Sequence, residues 1–276
     1  MKLSRSLQKF FAIYFAALAL GGVARVWLKL NAMSTATGFY TGGAGLVLVF
    51  NAALICGVGG LFALYLLRGT HQDYPVLRSD KLTALFALLV GVGIALFQLE
   101  MLSLPGFTPG VSLGGMPLIL SVVLGWLSAL VFAQMGARAL LGNGQMPGGT
   151  LSLVGGIWLT VTLVGKFNSY TTLTTVSDSL LTVLFMVFCA MFLTAHARTL
   201  GGLSRKDGRN YVIPAGLSTS LFGLLLVLPN WLWAAANSAA TLPAPLLGNF
   251  ESVFILAMSV YALLFVRHVC LSMQEV

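Results

Sequence analysis

This sequence predicts an all-α protein, a polytopic bundle of eight membrane-spanning helices with both termini cytoplasmic, and three observations predict it. Hydrophobic residues make up 58% of the 276 and charged residues only 8%, against roughly 25% charged in an average soluble domain. Apolar stretches near the 20 or so residues that cross a hydrocarbon core about 30 Å thick recur along the whole chain. Lysines and arginines gather beside alternate turns, as the positive-inside bias requires.

The first span, Phe10 to Leu30, follows the basic segment MKLSRSLQK and ends in GGVARVWLKLN, which carries Arg25 and Lys29 one helical turn apart. Its opening also mimics a signal peptide, and cleavage after Ala24 would leave seven spans. The apolar character resumes at VWLKL, so the segment is read as a retained anchor. The second span, Gly43 to Leu67, contains Asn51 and Cys56. The third, Leu82 to Leu99, contains Gln98 and closes on Glu100. Its GVG, Gly91 to Gly93, follows no strand and is not a nucleotide fingerprint.

The fourth span, Met116 to Ala137, places a small residue at every fourth position: Ser121, Gly125, Ala129 and Ala133. Such a stripe lets another helix approach closely and gain dispersion contacts in lipid. Thr150 to Phe167 forms the fifth span, with Thr160 and Thr162 inside it. Ser179 to Ala197, Val212 to Ala235 and Ser252 to Val266 complete the set. Connections such as RGTHQDYPVLRSDK, SLPGFTPGVSLGG and LGNGQMPGG are rich in residues that break helices. None is large enough for a second domain, so residues 1–276 form one transmembrane domain.

Orientation follows from the cations. With the N-terminus inside, twelve of the fifteen lie on the inner side: Lys2, Arg5, Lys9, Arg68, Arg78, Lys81, Arg138, Arg198, Arg205, Lys206, Arg209 and Arg267. Only Arg25, Lys29 and Lys166 fall outside. This distribution accounts for the net charge of +8 without nucleic acid, because no clustered basic patch with stacking aromatics accompanies it. The expected setting is a cell membrane, specifically a bacterial cytoplasmic one, with the lipid bilayer as partner and a membrane-protein partner or a second copy as further candidates.

Several landmarks recur at offsets of 129 to 131 residues, among them Trp27 with Trp158, Arg68 with Arg198, and Arg138 with Arg267. An even number of spans per unit would make halves 1–142 and 143–276 a parallel 4+4 duplication.

Chemistry is not declared. GxSxG, a Walker loop and HExxH are absent, so no enzyme and no catalytic residue is expected. Cys56, Cys189 and Cys270 stand singly in apolar segments and read as packing residues, and no metal site is expected. His196 and His268 share an inner-end depth that would suit a haem, but each adjoins an arginine at the basic boundary, and no cofactor is assigned. Asn51, Cys56, Gln98, Gln134, Thr160 and Thr162 are expected to make interhelical hydrogen bonds. No span carries a midplane charge, against a proton relay or ion-coupled carrier.

What remains is an outer constellation of Arg25, Lys29, Lys166, Glu100, Asp178 and Glu251. Asp178 and Glu251 open helices and the three cations close them, which the helix dipole favours. Glu100 closes a helix against the dipole, so Arg25 is its expected partner. The function expected from these residues is a small-solute or lipid-related transporter with an outward-facing polar vestibule that the six charged residues line. The alternative is a non-catalytic scaffold or anchor subunit of a larger complex.

Overall fold

The computed structural model describes residues 5–34, 40–68, 80–103, 115–142, 150–169, 176–201, 208–236 and 249–272. These form eight helices: α1 (Arg5–Trp27), α2 (Ala44–Arg68), α3 (Lys81–Ser103), α4 (Gly115–Leu140), α5 (Leu153–Ser169), α6 (Val176–Gly201), α7 (Gly208–Ala236) and α8 (Asn249–Ser272). Seven are long and apolar enough to cross a membrane; α5, with an apolar run of Leu153–Lys166, is shorter. Lys2, Arg78, Arg205 and Lys206 lie outside the described residues.

Helices α3, α4, α5, α6, α7 and α8 pack in sequence around a ring that α3 closes against α8. The hairpin of α1 and α2 docks on the outside of α7. Helix α7 is therefore flanked by α6, α8, α1 and α2, and its apolar residues are buried nearly all round, as expected of a central helix. Helix α2 is the least covered, with Leu48, Ile55, Leu66 and Leu67 exposed on a surface suited to lipid. Pro214 and Pro229 each remove a hydrogen bond inside α7. Membrane helices tolerate this when neighbouring elements surround them.

Close approaches between helices rest on small residues. A Cβ on Gly91 would lie 2.9 Å from the Ala129 carbonyl oxygen and 2.9 Å from the Ala133 nitrogen; on Gly136 it would lie 2.7 Å from the Ala84 oxygen. Helices α3 and α4 thus meet backbone to backbone. The Ala129 and Ala133 part of the small-residue stripe receives α3. Gly125 leaves room for the Gln98 side chain, and Ser121 hydrogen-bonds Thr162 of α5 at 2.6 Å. The GVG of α3 serves packing on both sides, since a Cβ on Gly93 would lie 3.0 Å from the Phe254 Cα of α8.

The ring interior is aromatic. Phe97, Trp158, Phe185 and Phe254 contact one another ring to ring. Towards the other end, His196 donates to or accepts from the Tyr261 hydroxyl at 2.6 Å among Phe132, Phe192 and Phe265. Positions paired by the 4+4 reading have different surroundings. Trp158 is fully buried whereas Trp27 is 46% exposed, and α6 packs along α7 whereas α2 lies against α1 and α7.

The buried-polar expectations need correction. Asn51 and Cys56 are exposed on α2 and Gln134 on α4, because those faces lie outside the packed ring. Thr160 bonds the Gly156 carbonyl of its own helix, and Gln98 has no hydrogen-bond partner, so of these residues Thr162 makes the interhelical bond. Tyr14, which the sequence reading passed over, bonds Ser220 at 2.8 Å and ties α1 to α7.

Candidate functional site

The constellation at the predicted outer end separates into two clusters. Arg25 donates to Asp178 Oδ1, and Lys29 Nζ donates to Asp178 Oδ2 at 2.6 Å. All three are buried, and the Arg25 guanidinium carbon also lies 5.1 Å from the centroid of the Phe50 ring. In the second cluster Lys166 donates to Glu251 Oε1, while the Glu251 backbone N–H donates to Glu100 Oε2 at 3.1 Å. The Lys166 ammonium stands 5.7 Å from the Phe97 ring centroid.

Arg25 therefore pairs with Asp178, in place of the expected Glu100. Distance along a helix does not decide pairing; lateral position does. Helix α1 packs on α2 and α7, whereas α3 packs on α4 and α8, so Glu100 and Arg25 stand on different sides of the bundle. Glu100 meets the N-terminus of α8, where a free N–H and the positive end of the helix dipole favour a carboxylate. Its own helix end opposes it and its neighbour's helix end compensates.

Local structure builds the first cluster. After Trp27 the helix widens into a π turn, Leu28–Ala32, that carries Lys29 with its side chain buried. π turns recur at functional sites. The chain then folds back: Thr41 donates from its backbone N–H to the Ala32 carbonyl at 2.8 Å, and Met33 bridges Tyr40. Gly43, with φ of +78°, turns the chain into α2; a Cβ there would sit 2.8 Å from Leu28. This return brings Tyr40 and α2 beside Arg25.

Below the cluster opens a cavity of about 680 Å³, within the 300–1,000 Å³ usual for ligand sites. One wall is α2, with Val47, Phe50, Asn51, Leu54, Ile55 and Val58; the other is α6, with Leu180, Leu184 and Phe188; Phe222 of α7 forms the floor. Arg25, Leu28 and Tyr40 close the end nearest the ion cluster. Ile55 and Leu180 on the two rims are exposed, so the cleft opens sideways between the helices. Its lining from Val47 to Gly59 extends about 18 Å along α2, comparable with the ~15 Å depth of one leaflet of hydrocarbon.

Of the six residues expected at the site, Arg25 alone lines this cavity; Lys29 and Asp178 stand behind it, and Glu100, Lys166 and Glu251 belong to the other cluster. The apolar walls were missed. Leu180, Leu184 and Phe188 share one helical face, but in an apolar helix that spacing signals packing as readily as a cleft.

No protein-family model, curated protein or solved structure matches this chain.

Proposed function

We propose that this multi-pass membrane protein is a lipid-related transporter or carrier that holds the acyl part of an amphiphile in the cleft between α2 and α6. One observation carries the reading: an apolar cavity about one leaflet deep runs from a buried ion cluster and opens laterally where lipid would stand. Entry from the side needs no aqueous vestibule. The reading involves no catalytic step and no cofactor.

Eight crossings and cytoplasmic termini go with it. Helix α5 and the preceding 3-10 turn, Thr150–Ser152, together reach roughly 30 Å. One end of α5 carries Lys166, paired with Glu251 at the start of α8; at the other, Gly156 lies against Thr194 in the inner half of α6. Reporter fusions within 143–149 and 170–175 should report opposite sides of the membrane; the same side for both would remove the fifth crossing.

Binding is tested with protein reconstituted in phosphatidylcholine vesicles containing diacylglycerol that bears a photoactivatable acyl chain. Cross-links should concentrate on α2 and α6 around Ile55 and Leu184. Gly59→Phe should cut them several-fold without unfolding, since a Cβ at Gly59 meets nothing within 4 Å. Labelling there no denser than at lipid-facing Val23 and Leu130 would refute the reading. A second reading, the non-catalytic scaffold, is favoured by the aromatic filling of the ring, which obstructs a central solute path.

A further inference from the structure

We infer that the cleft selects an anionic amphiphile, with an acyl chain between α2 and α6 and a phosphate-type head group held at Arg25. This rests on the lipid-binding reading above and adds the head-group class to it. Two basic side chains, Arg25 and Lys29, share the single carboxylate of Asp178, so the buried cluster holds one more basic group than acidic ones. Among the described residues no other carboxylate forms an ion pair with either cation. Arg25 is 1% exposed, yet its Nε has no hydrogen-bond partner, although the residue borders the cavity. A buried charge in a low-dielectric slab is costly until it is paired. An anion at the head of the cleft supplies both the missing charge and the missing acceptor.

Guanidinium suits this role because its fork presents several donors in one plane. Engaging Asp178 through one terminal nitrogen leaves the Nε–H without an acceptor. The Phe50 ring packed against it holds the plane without using a donor. Asn51, on the α2 wall of the cleft, adds an amide beside the apolar walls. A neutral head group would satisfy the donor but leave the charge; a zwitterion would bring its own cation into a cluster already in positive excess.

Displacement of the neutral photoactivatable diacylglycerol from the cleft tests this in the full-length protein. Phosphatidylglycerol should displace it at about one tenth of the mole fraction that unlabelled diacylglycerol requires, because it supplies a counter-charge where diacylglycerol supplies only an acceptor. Inorganic phosphate in the buffer should displace nothing. Lys29→Gln, which leaves Arg25 and Asp178 as a balanced pair, should bring the two lipids within twofold of each other while the neutral probe still labels the cleft. Arg25→Lys, which keeps the charge count, should retain a preference of at least threefold.

Equal displacement by the two lipids in the wild type overturns the head-group inference and leaves the cleft reading standing. Displacement by inorganic phosphate overturns it in favour of a soluble anion. A tenfold preference that survives Lys29→Gln overturns the charge-excess argument. Absence of cleft labelling by the neutral probe sinks the lipid-binding reading itself, a different failure. The wild-type ratio decides the inference even if Lys29→Gln does not fold.

Discussion

Asp178→Asn isolates the electrostatic role of the first cluster, because asparagine keeps the shape and one acceptor while removing the charge. In the wild type the carboxylate accepts from Arg25 and Lys29, whose side chains are 1% and 2% exposed. Without it, two like charges stand side by side with no counter-charge in contact. Removing one partner of a buried ion pair costs about 3–5 kcal/mol. The Asp178 side chain is itself 11% exposed, so the lower end, about 3 kcal/mol, is the expected loss. That is more than a hundredfold in the folded-to-unfolded ratio. Lys29→Gln alone should cost under ~1 kcal/mol, since the hydrogen bond lost is offset by relief of repulsion from Arg25. The double variant should be more stable than Asp178→Asn by at least ~1 kcal/mol, as the second substitution removes one of the stranded charges. Reversible unfolding of the four proteins in mixed micelles measures the cycle. A single Asp178→Asn within about 0.5 kcal/mol of wild type, or additivity within that margin, would refute the account.

Three further outcomes follow from the packing. Gly91→Val should destabilise by about 1–3 kcal/mol or more, because its Cβ would meet backbone atoms of Ala129 and Ala133 that cannot rotate away; Gly59→Val, with open space at its Cβ, should change thermal stability little. Tyr14→Phe should cost about 0.6 kcal/mol, the usual worth of an interhelical hydrogen bond in a membrane, and a value near zero would mean that the Ser220 contact does not tie α1 to α7. Asp80→Ala should cost about 1 kcal/mol at neutral pH, since the carboxylate caps α3 by accepting from the Thr83 hydroxyl at 2.8 Å and the Thr83 backbone N–H at 3.2 Å. Burial pushes the Asp80 carboxyl up, but the Thr83 hydrogen bonds, the charge of His268 and the Leu82 N–H together hold it below its usual value. Its folded pKa is depressed, so the cap's charge-dependent part is present above the unfolded value of about 4 and fades as pH falls through the folded one. The gap between wild type and Asp80→Ala, followed by denaturation across pH, should narrow on acidification; a gap that widens would refute the sign.

Composition and the cation pattern alone determined that this is a helical, multi-pass membrane protein, because transfer of about 20 residues into hydrocarbon depends on each segment's own side chains and needs no knowledge of neighbours. The same one-dimensional reasoning grouped Arg25, Lys29, Lys166, Glu100, Asp178 and Glu251 towards one side, with Lys29 and Glu100 nearer its edge than Arg25 and Glu251, since about 1.5 Å of rise per residue converts sequence number into an expected depth. It could not say who meets whom. Arg25 reaches Asp178, and Glu100 reaches the α8 N-terminus, because α1 lies on α7 and α3 lies between α4 and α8. The order of helices around the ring is set by which small residues let which backbones touch, as Gly91 does with Ala129 and Ala133. Side chains facing lipid, a neighbouring helix or a cleft are equally apolar in this chain, so hydrophobic pattern does not distinguish them. Only the tertiary packing decided that Leu184 and Phe188 line a cavity while Leu193 and Phe185 fill the core.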